Sequence, residues 1–222
     1  MKRIIDTERI PIKLWLDEID DNTLFQVKNL ANLPFAFKHI ALMPDAHTGY
    51  GMPIGGVMAA DNVVVPNAVG VDIGCGICAV KTDLKLDPNI QRRLKEIVRD
   101  IEERVPLGFK HHKRAQDESL MPRGYDVGSM EVVRAEYRSA LRQLGTLGGG
   151  NHFIEIQKDK EDYIWIMIHS GSRNIGKQVA DHYNKLAKRL NKQWNSPVPP
   201  KADLAYLPFT TEEAHKYFEE MN

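Results

Sequence analysis

Apolar residues recur at helical spacing in several separate stretches of this chain, and at strand spacing in several others. Asp20-Asp21-Asn22-Thr23 reads as a helix start, followed by Leu24, Val27, Leu30 and Ala31 on one face and by Pro34 as a stop. Pro88 to Arg104 is the clearest amphipathic helix: Ile90, Leu94, Ile97, Val98 and Ile101 oppose Arg92, Arg93, Lys95 and Glu96. Ser129 to Leu144 predicts a third helix, opened by Ser129 with Glu131 in its first turn. A fourth follows His169 to Gly176 and runs to about Gln193, and Phe209-Thr210-Thr211-Glu212-Glu213 starts a fifth. Strands are expected at Asn62 to Val65, Ile77 to Lys81, His152 to Ile156 and Tyr163 to Ile168. From Ile40 to Val71 short apolar runs are punctuated by Gly and Pro, and Ser196 to Pro200 reads as a surface loop. The mixture implies an α+β fold, a single mixed α/β domain over 1–222 with 152–156 and 163–168 adjacent in a central sheet.

Composition narrows the class. The 222 residues carry 30 basic and 30 acidic side chains, a formal net charge of zero that argues against a globally basic nucleic-acid clamp but leaves room for a local basic patch. With 42% apolar and 27% charged residues the chain resembles an ordinary globule rather than a disordered one. No apolar run approaches bilayer length, and acid follows the N-terminus before any signal-like core develops. Cys75 and Cys78 make no disulfide scaffold and read as reduced thiols. A cytoplasmic protein without a membrane partner is expected.

Four segments and one basic run can carry chemistry. In Asp72-Ile73-Gly74-Cys75-Gly76 the glycines allow turns that aim a carboxylate and a thiol at one point, donors a borderline-soft divalent ion accepts. The same residues also suit a Gly-rich turn around a packed cysteine, and with no second Cys pair a Cys-only zinc site is excluded. Gly145 to Gly150 runs into Asn151-His152-Phe153-Ile154-Glu155; a regular strand there puts His152 on one face and Asn151, Phe153 and Glu155 on the other. His169 ends a buried strand, where α/β proteins bind ligands, and Ser170, Ser172 and Arg173 lead to a helix N-terminus suited to anions. Arg173 offers a planar donor fork for phosphate; the alternative is a solvated Arg173 beside an N-cap at Ser172 or Asn174. Asp45 and His47 lie two apart in a glycine-dense segment, and Lys110-His111-His112-Lys113-Arg114 is a basic run, a solvated loop or an RNA-backbone contact.

Taken in order, Met43-Pro44-Asp45-x-His47-x-Gly49-x-Gly51-x-Pro53-x-Gly55-Gly56, Gly70-Val71-Asp72-Ile73-Gly74-Cys75-Gly76, Leu147-Gly148-Gly149-Gly150-Asn151-His152-Phe153-x-Glu155 and His169-Ser170-Gly171-Ser172-Arg173 resemble the RtcB family of RNA-splicing ligases. The resemblance covers essentially the whole chain. It implies GTP- and Mn²⁺-dependent joining of RNA 3′-phosphate or 2′,3′-cyclic phosphate ends to 5′-hydroxyl ends through a guanylylated histidine, on tRNA halves or damaged RNA, with an archease-like activator as a further partner. It implies Asp72, Cys75, His152 and His169 as ligands of a two-Mn²⁺ site, with Cys75 bridging and donors roughly 3–6 Å apart. It implies Asn151, Phe153 and Glu155 as guanylate contacts and Arg173 as a phosphate or RNA contact. His47 stays outside the metal set.

The family's nucleophilic histidine lies in a C-terminal His-Gly-Ala-Gly-Arg-like motif that this sequence lacks. One Asp, one Cys and two His also supply fewer ligands than two octahedral-leaning ions take. The expectation is therefore the N-terminal part of a ligase, apparently truncated at the C-terminus. Alternative readings are a metal-dependent phosphoesterase and a non-catalytic GTP- or RNA-binding fragment.

Overall fold

Helix α1 (Asp21–Ala31) starts where the pattern predicts. The Asp20 carboxylate accepts hydrogen bonds from the backbone N–H groups of Asn22 and Thr23, satisfying donors that a helix start leaves free. Its Val27, Leu30 and Ala31 are buried, the i, i+3, i+4 stripe of a helix on a sheet. These positions come from a computed structural model that describes all residues, 1–222. Backbone packing divides the chain into two compact units, 1–71 with 179–222, and 72–178.

In the first unit β1 (Arg3–Ile5), β2 (Ile12–Leu14), β3 (Ala36–His47) and β4 (Ile54–Ala60) form a four-stranded sheet in that order. The β2–β3 pair is parallel, and its two neighbours are antiparallel. Ile12, Leu14, Ile40 and Leu42 alternate inward and pack with the α1 stripe and Leu204 into the core. The four strands were not foreseen, since the pattern suggested only short punctuated runs there. Short α2 (Pro66–Val69) follows β5 (Val63–Val64), which pairs with β9 (Leu207–Pro208) inside the expected 62–65 strand. Helix α6 (Glu212–Met221) starts as anticipated, with Thr211 accepting from the Ala214 N–H.

The second unit holds β6 (Gly76–Lys85), β7 (Phe153–Lys158) and β8 (Tyr163–Ser170) in one antiparallel sheet of order β6-β8-β7. The predicted 152–156 and 163–168 strands are thus neighbours, joined by a tight turn. Asp159 ties that turn, accepting from the N–H groups of Glu161 and Tyr163 and from the Trp165 indole at 2.9–3.1 Å. Helix α3 (Pro88–Arg104) is capped by Asp87 with Pro88 in its first turn, and α4 (Glu131–Gln143) follows a single 3-10 turn at Val127–Ser129. The N-cap position of α4 falls on Met130 rather than Ser129, whose hydroxyl donates to the Asp126 carbonyl at 2.8 Å. Helix α5 (Ile175–Gln193) ends where predicted and contributes residues to both units. The mixed α/β content agrees with the expectation, its strands divided among three sheets. No helix is long and apolar enough to cross a membrane.

Candidate metal centre

The β6–β8 register decides what meets at the sheet's end. Gly76 pairs with Ser170 and Ile77 with His169, so the residue before β6, Cys75, is delivered to the last turn of β8. A tight turn, closed by the Cys75 N–H on the Asp72 carbonyl at 3.0 Å and eased by Gly74 at φ +78, brings Asp72 beside it. Cys75 Sγ lies 3.0 Å from His169 Nε2. His152 Nε2 lies 3.0 Å from Asp72 Oδ2, and the two imidazole rings stand 5.3 Å apart. One donor atom from each of Cys75, His152 and His169 falls within 4.8 Å of the others. Three chain segments converge here.

His152 does not follow the alternation anticipated for a strand beginning at 152. Gly150 at φ +69 and the turn after it place His152 just ahead of β7, outside the ladder. Its ring therefore reaches the same region as Phe153, whose strand partner is His169 and whose ring meets the His169 imidazole edge-on at 5.4 Å. Glu155, also on that face, is exposed and accepts a hydrogen bond from Gln157 Nε2; Asn151 is exposed in the turn. Cys78 is exposed within β6, opposite Ile168 on the other face, and is not part of the cluster. In the first unit, His47 sits at the end of β3 with Nδ1 2.8 Å from the Asp45 carbonyl.

Two glycines make the close approach possible. A Cβ on Gly171 would lie 2.5 Å from Asp72 Oδ1. A Cβ on Gly148 would lie 2.8 Å from His152 Cε1 and nearer still to its Nδ1 and to Arg173 Nη1. Arg173 is half-buried at φ +56 rather than solvated, its Nε donating to Thr146 Oγ1 at 3.0 Å and its Nη2 to the Gly108 carbonyl at 3.1 Å. Burial works against its charge, and the nearby Asp72 carboxylate supports it. Ser172 takes the capping role, accepting from the Gly176 N–H at 2.9 Å. Sequence reasoning gave Thr146 no role, and it carried Gly148 and Gly171 only as members of their motifs.

The donor set suits a divalent first-row cation. Sulfur, two imidazoles and an adjoining carboxylate are ligands of borderline softness, with thiolate and imidazole suiting Zn²⁺ and carboxylate suiting Mn²⁺. The His152 side chain is only 7% exposed, and its Nδ1 is buried without a hydrogen-bond partner, an orphaned donor or acceptor at the cluster. Partial burial of the Cys75 thiol, then the hydrogen bond and negative charge of Asp72, pushes its pKa above the ordinary thiol value. A cation in contact with the sulfur would reverse that, since metal charge deprotonates a coordinating thiol.

The family model described as tRNA-splicing ligase RtcB matches residues 26–222. The chain belongs to the RtcB family. It is 36% identical over 230 residues to the RNA-splicing ligase RtcB of Escherichia coli K12, covering 96% of this chain and 56% of that protein. It is 34% identical over 266 residues to the tRNA-splicing ligase RtcB of Thermococcus kodakarensis, covering 96% and 55%. The Methanococcus maripaludis relative of that name is 32% identical, covering 98% and 55%. This chain thus spans a little over half the length of the curated RtcB relatives it matches.

Proposed function

We propose that residues 1–222 form the N-terminal part of an RtcB catalytic domain whose complete reaction joins RNA 3′-phosphate or 2′,3′-cyclic phosphate ends to 5′-hydroxyl ends with GTP and Mn²⁺. The observation that carries this is the convergence of Cys75, His152 and His169, with Asp72 alongside, in a chain of a ligase family. Those residues would hold Mn²⁺, two ions in the complete site. Bound Mn²⁺ would supply Lewis acidity that neutralises phosphate charge during in-line displacement. Phe153 edges the His169 ring and would offer a guanine base an apolar surface, with Asn151 and Glu155 as polar contacts. Arg173 would place positive charge at the cluster's rim for a phosphate, while its bonds to Thr146 and Gly108 brace the loops around His152. The guanylylated histidine of the family belongs to a motif absent from 1–222, and the substrate would be tRNA halves or damaged RNA in the cytoplasm, with an archease-like activator as partner.

Labelled GTP with Mn²⁺, followed by a denaturing gel, tests this reading. Residues 1–222 alone should take no covalent GMP. Adding the C-terminal portion of the Escherichia coli relative in trans should yield label that disappears with Cys75→Ala or His152→Ala. Label on 1–222 alone would overturn the placement of the nucleophile. Label insensitive to both variants would overturn the role of the cluster.

A further inference from the structure

Residues 106–108 run beside the glycine loop of the metal cluster. Leu107 and Leu147 form a parallel bridge, with the Leu147 N–H on the Pro106 carbonyl at 2.9 Å and the Gly108 N–H on the Gly148 carbonyl at 3.3 Å. Arg173 Nη2 holds the Gly108 carbonyl as well, so this strip is fastened to the segment after His169. Gly108 at φ +59 then turns the chain, and the Lys110 N–H closes the turn on the Leu107 carbonyl at 3.1 Å. The far side is pinned too: the His112 N–H donates to the Arg142 carbonyl at 2.9 Å, and Arg142 Nε donates to the His112 carbonyl at 3.0 Å.

At the tip of this double-anchored loop stands Phe109, whose relative exposure of 102% leaves its ring bare of protein contacts. An aromatic ring presented so fully to water gains nothing for the fold and needs another explanation. Lys110, His111, Lys113 and Arg114 follow it, all exposed. The acidic residues next in the chain are engaged locally, Asp117 accepting from the Ser119 N–H at 2.9 Å and Glu118 from the Tyr137 hydroxyl at 2.8 Å. The loop therefore presents one bare aromatic face and a run of positive charge, held next to Gly148, which packs on His152.

We infer that the loop 108–114 is a binding site for single-stranded RNA adjoining the end to be processed, with Phe109 stacking on a base and Lys110, Lys113 and Arg114 neutralising phosphates. The inference rests on the RNA-ligase reading and adds a residue-level contact to it. Stacking is available only to bases already free of a duplex, which makes a single strand the fitting ligand. Basic side chains beside a stacking ring are the usual pairing of electrostatic attraction with sequence-tolerant contact.

Fluorescence anisotropy of the chain with a labelled ten-nucleotide single-stranded RNA ending in a 3′-phosphate tests the site. Phe109→Ala should weaken binding about 5- to 150-fold, and Phe109→Trp should restore it to within about threefold. Lys110→Gln with Lys113→Gln should lower the slope of log K against log salt by about 1.4. Duplex RNA of the same sequence should bind Phe109→Ala and the original chain alike. Equal single-strand affinity for the original chain and Phe109→Ala would overturn the inference. So would equal loss on duplex, or no single-strand binding by the original chain. A parallel Mn²⁺ titration separates the two readings: the metal cluster stands or falls by metal binding, and Phe109 by the alanine-to-tryptophan comparison.

Discussion

Gly148→Ala is the sharpest perturbation that the site allows. Gly148 has no left-handed φ, so alanine costs no backbone strain, and the whole effect lies in where its Cβ would go. At 2.8 Å from His152 Cε1, against an optimal carbon contact of about 3.5–4.0 Å, clearing that atom alone takes roughly 0.7–1.2 Å, and the imidazole would have to retreat further still to clear Nδ1, which lies nearer. Arg173 closes the other side, held by Thr146 and Gly108. Metal–ligand distances tolerate only about ±0.2 Å, so the displaced His152 should fall out of position. Loss of such support typically lowers metal affinity about 10- to 100-fold, and overpacking costs about 1–3 kcal/mol of stability. Gly149→Ala is the matched control: its Cβ would meet nothing nearer than Gly108 Cα at 3.9 Å. Isothermal titration with Mn²⁺, with circular dichroism as a check on folding, should show the 10- to 100-fold loss in Gly148→Ala and a change within about twofold in Gly149→Ala. Equal affinities for Gly148→Ala and the original chain would refute the argument that the missing side chain seats His152.

Thr146→Val removes the oxygen that accepts from Arg173 Nε and should destabilise the chain by about 1.5–3 kcal/mol in urea unfolding, with Thr146→Ser largely restoring it. The Trp165 indole bond, helped by backbone N–H groups and Lys81, holds the Asp159 carboxyl down at about 2, below its ordinary 3.8. The ionised form is thus favoured in the fold, and its stabilisation is complete above about pH 4 and lost as pH falls through about 2. Thermal midpoints of the original chain and Asp159→Asn should therefore differ at neutral pH and converge near pH 2. Tyr217→Phe removes a buried hydroxyl that has no partner and should leave urea stability unchanged or raise it by about 1 kcal/mol. Tyr183→Phe, which removes a 2.8 Å donor to the buried Glu220 carboxylate, should lower it by about 1.5–3 kcal/mol in the same assay.

The elements best legible in the sequence are those whose periodicity nothing interrupts. Helices α3 and α5 and the β7–β8 hairpin carry clean patterns with caps or turns at their ends. Strand β3 is twelve residues long yet was missed, because Lys38 adopts φ +58 and register shifts fall between Phe37 and Ile40 and between Leu42 and His47. Such irregularities break the alternation by which a strand is recognised. At the candidate site, motif order brought Asp72, Cys75, His152 and His169 to attention, but their meeting depends on the pairing of Gly76 with Ser170, a long-range register that no local pattern encodes. Arg173 illustrates the limit most plainly. Its residue type advertises phosphate, whereas the bracing of Thr146 and Gly108 emerges only once the glycine loop is folded against it.

Anomalous X-ray scattering at the manganese edge, from crystals of the chain grown with Mn²⁺, measures the central claim directly. The account requires an anomalous peak bonded to Cys75 Sγ and to a nitrogen of each of His152 and His169, at distances of roughly 2.0–2.5 Å. A peak elsewhere, or one from which Cys75 Sγ stands apart, would contradict the assignment of these three residues to a metal.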